Sequence, residues 1–165
     1  MVMFAVASGF SQEPSKKAQR EQNRIEKEKQ IETLINSKEF VFEATQALPQ
    51  SGKMIMLTGS SYTVTFHPDS IESYLPFYGR AYSVDYGGDG GIKFKGKPQE
   101  YKVVAQKSGK GYDINATIKT TKDLYKLYLS VTPDGSATLM VDSNQRSSIS
   151  YHGDIKKFEA AKRNK

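Results

Sequence analysis

The hydrophobic pattern of the chain changes period once, near Glu39. From Pro14 to about Asn36 the residues are strong helix formers, KKAQREQNRIEKEKQIETLIN after Ser15. Apolar positions are sparse until Ile25, Ile31, Leu34 and Ile35, so a helix is expected that is solvated in its first half and packed only near its end. Pro14 suits a first helical turn and Ser15 a share of the cap. Glu28 stands four residues before Glu32, a mildly repulsive spacing, so side-chain pairing adds little.

After Glu39 the period is two. Phe40, Phe42 and Ala44 alternate with Val41, Glu43 and Thr45; Tyr62, Val64 and Phe66 with Thr63, Thr65 and His67; Tyr112, Ile114, Ala116 and Ile118 with Asp113, Asn115, Thr117 and Lys119. Such alternation marks strands with one buried and one wet face, as in antiparallel sheets. Ser108 to Gly111, Pro133-Asp134-Gly135 and Ser143-Asn144-Gln145 read as tight turns. The pattern predicts a hairpin meander over 99–106, 111–120, 124–132, 136–142 and 147–155. Upstream it predicts strands near 39–46, 54–58, 61–67, 80–84 and 91–95. The expected fold is mainly β: a single antiparallel domain, curled barrel-like or in two layers, preceded by one long polar α-helix. The expected divisions are a signal-peptide remnant at 1–12, the helical lead-in at 13–38, the β domain at 39–155 and a basic tail at 156–165.

Charge changes this picture only at the ends. The chain carries a formal +6 over 165 residues. Residues 13–38 hold seven cations (Lys16, Lys17, Arg20, Arg24, Lys27, Lys29, Lys38) against five glutamates, and 156–165 hold five cations against Glu159. Everything between has twelve charges of each sign. A groove-tracking nucleic-acid binder carries its Lys/Arg stripe on the fold itself, so no nucleic-acid partner is expected. A weak electrostatic contact of the two ends with a membrane surface is compatible with the distribution.

Met1 to Phe10, MVMFAVASGF, has the length of a signal-peptide apolar region, with small residues placed for cleavage after Ala7 or Ser11. No Lys or Arg precedes it, which departs from the usual signal. The expectation is export to the periplasm or cell envelope. Cys is absent, which excludes disulfides, thiolate zinc sites, a cysteine nucleophile and anchoring through a lipidated cysteine. No apolar run approaches the ~20 residues of a membrane-spanning helix.

Catalytic patterns are thin. His67 and His152 are the only histidines, and neither H-E-x-x-H nor G-x-S-x-G occurs. The acid pairs Asp69 with Glu72 and Asp85 with Asp89 are explained by turn chemistry, with a hard cation at Asp85 and Asp89 as the lesser alternative. Asp85 to Gly91, DYGGDGG, lacks the Gly-Lys-Ser/Thr ending of a phosphate loop, and its glycines suit a tight hairpin or bulge. No enzyme activity, cofactor or metal is expected.

Tyr74 to Tyr86, YLPFYGRAYSVDY, is the most unusual segment. It holds five aromatics and Arg80 within thirteen residues, and its tyrosines recur at 74, 78, 82 and 86. Pro76 and Gly79 oppose a helix, so turn and short strand are expected. Tyr and Arg are enriched where proteins bind partners, and Tyr rings with polar tips suit sugar stacking. Tyr74, Phe77, Tyr78, Arg80, Tyr82 and Tyr86 are therefore the candidate binding surface. The alternative is that these rings plug the end of a curled sheet.

The same segment carries a resemblance. Tyr74 to Tyr82 (YLPFYGRAY) and Tyr86 to Phe94 (YGGDGGIKF), with Asp134 to Val141 (DGSATLMV) and Ile149 to Gly153 (ISYHG), resemble a Bacteroidales family of exported proteins known as domain of unknown function 4251. The resemblance spans roughly Phe40 to Ile155. It implies a mostly β, exported cell-envelope protein and carries no activity or site residues with it. The leading expectation is a non-enzymatic binder of a small ligand, glycan or envelope protein, followed by a structural or assembly protein of the envelope, with an enzyme third.

Overall fold

In a computed structural model, described over residues 15–59, 61–82, 90–107, 109 and 111–159, the change of period at Glu39 is the boundary between helix and sheet. Helix α1 spans Lys16–Ser37, with the Ala18 amide donating to Ser15 Oγ at 3.3 Å and Lys38 ending it at φ 56°. Ile31 and Ile35 are its buried residues, whereas Ile25 stays 42 % exposed. The helix is therefore held through its last two turns, as the sparse apolar positions require.

Ten strands follow among the described residues: β1 (Phe40–Pro49), β2 (Ile55–Met56), β3 (Tyr62–Phe66), β4 (Ile71–Leu75), β5 (Ile92–Gly96), β6 (Pro98–Ala105), β7 (Tyr112–Lys119), β8 (Leu124–Val131), β9 (Ser136–Ser143) and β10 (Ile149–Lys157). They form one antiparallel sheet in the order β5-β4-β3-β1-β10-β9-β8-β7-β6, with β2 extending the β3 side of β1. The strands at the two ends of this order, β5 and β6, are joined through Lys97 alone, so the sheet curls until its ends approach. Contacts across the interior agree with this nearly closed barrel: Phe94 of β5 stacks on Tyr125 of β8 at 4.4 Å, and Phe66 of β3 meets Tyr101 of β6 edge-on at 6.4 Å.

The inward residues of the alternating strands fill the barrel. Phe40, Phe42, Phe66, Leu127, Leu129 and Tyr151 have at most 1 % of their surface exposed, and Phe40 stacks on Phe66 at 4.5 Å. Each such side chain contributes about 1.5–3 kcal/mol through removal from water. The helix closes one end, where Ile31 lies against Gly135 in the turn between β8 and β9.

The sequence pattern needs three corrections among the strands, the first being that the one expected at 54–58 is only Ile55–Met56. Residues 71–75 form a full strand that the alternation did not predict, and the strand expected at 80–84 reduces, within the described residues, to a single bridge between Ala81 and Arg146. In β4 the inward positions are Ile71, Ser73 and Leu75, so a hydroxyl interrupts the apolar period. Ser73 is tolerated inside because its Oγ donates to the Ile92 carbonyl at 2.9 Å. The His67–Ser70 turn closes the β3–β4 hairpin through His67 N–H to Ser70 O at 2.8 Å. Expectations that fall on 1–14, 83–89 and 160–165, including Tyr86, Asp85 and Asp89, lie outside the described residues. Strand β10 runs on to Lys157, and Phe158 packs edge-on against His67 at 4.9 Å.

Tyr101 gives the fold a measurable pH response. Its hydroxyl is buried without a protein partner, and burial pushes its pKa from 10.0 up to about 12. Because the folded value lies above the unfolded one, this phenol's contribution is intact below pH 10 and falls away as the pH rises towards 12. Tyr101→Phe removes the unpaired hydroxyl and the titration together. The expected result is equal or higher stability at neutral pH, by up to about 1 kcal/mol, and a shallower loss of thermal stability above pH 10. A variant that is less stable at pH 7 would show that the hydroxyl has a partner that matters.

Candidate functional site

At the barrel end opposite the helix, β4 leaves the sheet at Leu75 and the chain turns through Pro76-Phe77-Tyr78-Gly79-Arg80. Two attachments fix this segment. Tyr151, fully buried on β10, donates its hydroxyl to the Pro76 carbonyl at 2.6 Å. Burial, and after it the neighbouring Tyr78 phenol, push the Tyr151 pKa above the usual phenol range, while Arg146 pulls it back.

The second attachment is a short ladder to the residues between β9 and β10. Ser147 N–H donates to Arg80 O at 2.9 Å, Tyr82 N–H to Gln145 O at 2.7 Å, and Arg80 N–H to Ser147 Oγ at 3.2 Å. Gly79 permits this closeness, since a Cβ there would lie 2.7 Å from both the Phe77 ring and Ser147 Oγ. The Phe77 ring packs on the core and carries the Arg146 guanidinium 5.1 Å above it. Arg146 also donates to the Gly90 carbonyl.

A groove of ≈ 650 Å³ lies beside this segment. One wall is Tyr78, Arg80 and Tyr82, with Ser147 at its base. The other is the turn from β1 to β2, where Pro49, Gln50, Ser51, Lys53 and Ile55 face the groove. Tyr82 is 71 % exposed and stands in solvent at the rim of the concavity, whereas Tyr78 is 37 % exposed, with most of its surface covered and its remainder open to the groove. Groove size and composition suit a small molecule or a short stretch of polymer.

The segment singled out in the sequence thus divides. Tyr78, Arg80 and Tyr82 come together in the groove, Phe77 is a packing residue beneath them, and Tyr86 lies outside the described residues. Tyr74 points from the outer face of β4, where it stacks on Tyr62 at 6.0 Å beneath Lys93 Nζ, 4.3 Å from its ring. It is not a groove residue. Reasoning from sequence missed the facing wall: Gln50-Ser51-Gly52-Lys53 reads as a turn, and nothing in the sequence pairs that turn with residue 80. The acid pairs serve structure where they are described, Glu72 in an ion pair with Lys95 at 3.1 Å across β4 and β5, and Asp69 in the β3–β4 turn. His152 shares a hydrogen bond with Thr138 at 3.0 Å on the outer sheet face. Among the described residues no group of three or more metal-ligating side chains gathers, and no helix is long and apolar enough to cross a membrane.

Comparison with known proteins agrees with the fold. A crystal structure of a DUF4251 family protein from Bacteroides eggerthii superposes with a TM-score of 0.64 at 18 % identity, over 79 % of this chain and 87 % of that one. No curated protein matches significantly. Residues 22–155 match the family described as domain of unknown function (DUF4251). That match takes in most of α1, the barrel as far as Ile155 in β10 and both walls of the groove, and the chain belongs to the DUF4251 family.

Proposed function

We propose that this protein is an exported, non-enzymatic binding domain of the cell envelope, and that the groove between the β1–β2 turn and residues 78–82 holds its ligand. The observation that carries the reading is the exposure of Tyr82, and of the open part of Tyr78, at a ≈ 650 Å³ concavity whose wall is pinned to the barrel from below. An ordered wall limits the entropy lost on binding, and exposed tyrosines supply large contact area with few rotatable bonds. The apolar Met1–Phe10 stretch ending in small residues supports export. The role proposed is capture: the wall offers rings, hydroxyls and cations.

The test is thermal unfolding of the purified protein against glycans, peptidoglycan fragments, lipids, bile acids, peptides and divalent ions. A specific ligand at ~100 times its Kd adds about 2.7 kcal/mol, several degrees for a domain of this size. The expected result is a shift that Tyr78→Ala and Arg80→Gln each abolish while the ligand-free melting temperature stays within a degree or two. A shift that both variants retain would place the ligand elsewhere. A panel with no shift would favour the structural reading, in which the aromatic segment serves only to seal the barrel end.

A further inference from the structure

We infer that the groove takes an acidic sugar, a ring bearing a carboxylate. The inference rests on the binding reading above and adds the chemical class of the ligand. Its starting point is charge. The β body as a whole is balanced, yet among the described residues the two charged side chains that line the groove, Lys53 and Arg80, are both cations. One stands on each wall.

Some cations elsewhere on the barrel are engaged. Lys95 pairs with Glu72 at 3.1 Å and Lys156 with Glu43; Arg146 donates to Gly90 O and covers Phe77; Lys38 stands 5.4 Å above the Tyr101 ring. Others, such as Lys102, Lys119 and Lys126, stand exposed and unpaired among the described residues; what sets the groove apart is that its cations line a concavity, with no acidic side chain among the described lining. Lys53 and the Arg80 guanidinium have neither an ion pair nor a side-chain hydrogen bond among the described residues, although the Arg80 backbone is fixed at both its N–H and its C=O. Arg80 is thus a held backbone presenting a free five-donor fork. Such a fork matches a carboxylate with two parallel hydrogen bonds.

The remaining lining selects among anions. A bare phosphate or sulfate would be met by the two cations and would leave the tyrosines idle. Tyr78 and Tyr82 offer ring faces with polar tips, the surface that packs on the C–H face of a pyranose while the tips reach its hydroxyls. Gln50, Ser51 and Ser147 add neutral donors and acceptors for those hydroxyls. A flat aromatic acid would need a closed apolar slot, whereas this groove is open at its tyrosine rim. The volume suits one or two sugar rings.

The experiment is calorimetric titration of the full protein with digalacturonic acid, the matching neutral galactose disaccharide, and inorganic phosphate, at low and at physiological salt. The acidic disaccharide is expected to bind about tenfold or more tightly than the neutral one, as one charge-assisted fork commonly gives. The advantage should shrink as salt rises. Arg80→Gln should bring the two sugars level, and Tyr78→Ala should weaken both together.

Equal binding of the two sugars by the wild type, lost with Tyr78→Ala, would overturn the charge inference and leave the binding reading standing. Phosphate binding as tightly as the acidic sugar would reduce the site to an anion site and overturn the sugar. Failure of both sugars, when another compound in the thermal panel depends on Tyr78, would overturn the ligand class alone. Failure of every compound in both experiments would overturn the binding reading with it.

Discussion

Gly153→Ala is expected to destabilise the barrel by about 3 kcal/mol or more, the upper end of the cost of overpacking a rigid site. A Cβ at residue 153 would stand 1.9 Å from the Glu43 carbonyl oxygen and 2.8 Å from its carbon. The obstacle is backbone, in the strand that makes the central pairing of the sheet, so no rotamer change relieves it. The crowding has a local cause. The β1–β10 register shifts between Ala44 and Gln46, and Thr45 at that bulge donates its hydroxyl to the His152 carbonyl at 3.2 Å. The bulge brings β1 down onto position 153, where the closest approach tolerates hydrogen alone. Thermal and urea unfolding measure the effect, expected as a fall of ~6–12 °C in Tm. Ser150→Ala, on the outer side of the same strand, should stay within about 0.5 kcal/mol of wild type. Comparable small effects from both substitutions would mean that β1 and β10 can part at the bulge.

Tyr151→Ala is expected to cost about 4 kcal/mol, in the range of large aromatic truncations in a packed core. Tyr151→Phe separates the ring from its hydroxyl. The ring still fills the barrel, while the Pro76 carbonyl loses the donor now at 2.6 Å, a loss of about 1 kcal/mol. The consequence reaches the groove, because Pro76 begins the wall that carries Tyr78 and Arg80. Hydrogen exchange at the Tyr82 amide, bonded to Gln145 O at 2.7 Å, should quicken in Tyr151→Phe while the β7–β9 amides keep their protection. Unchanged exchange at Tyr82 would show that the ladder to 145–147 holds the wall without help from the core.

These two residues explain why the ISYHG motif has the form it does. Ile149 and Tyr151 point inward, His152 and Ser150 lie between core and solvent, and Gly153 admits β1. The motif belongs to the architecture and supports the groove from beneath. In DGSATLMV, Gly135 sits against Ile31 of the helix, and Ala137, Leu139 and Val141 face the core.

How much was legible in the sequence follows from the range of each signal. The β7–β9 meander was plain because Tyr112 to Ile118 and the Pro133-Asp134-Gly135 turn are local patterns that burial and turn geometry both enforce. Strand β4 was hidden by Ser73, whose inward hydroxyl is satisfied by a carbonyl nineteen residues away. The expected strand at 80–84 had a real origin in Ala81, which bridges to Arg146, but the pairing crosses 65 residues and stops after one bridge. Half the groove was legible as an aromatic segment with one arginine. Lys53 and Ser147 were not, since only the curl of the sheet brings the β1–β2 turn and the β9–β10 connection to the same end of the barrel. Tyr74, one of the regularly spaced tyrosines, was separated from the others by the end of β4, which leaves its ring on the outer face against Tyr62.

The most direct test of the groove is amide chemical-shift mapping on the nitrogen-labelled protein, titrated with whichever compound gives the largest thermal shift. The strongest perturbations are expected on residues 50–55, 78–82 and Ser147, with the outer face of β7–β9 unmoved. Perturbations centred on any other face, with those three stretches still at saturation, would contradict this placement of the ligand.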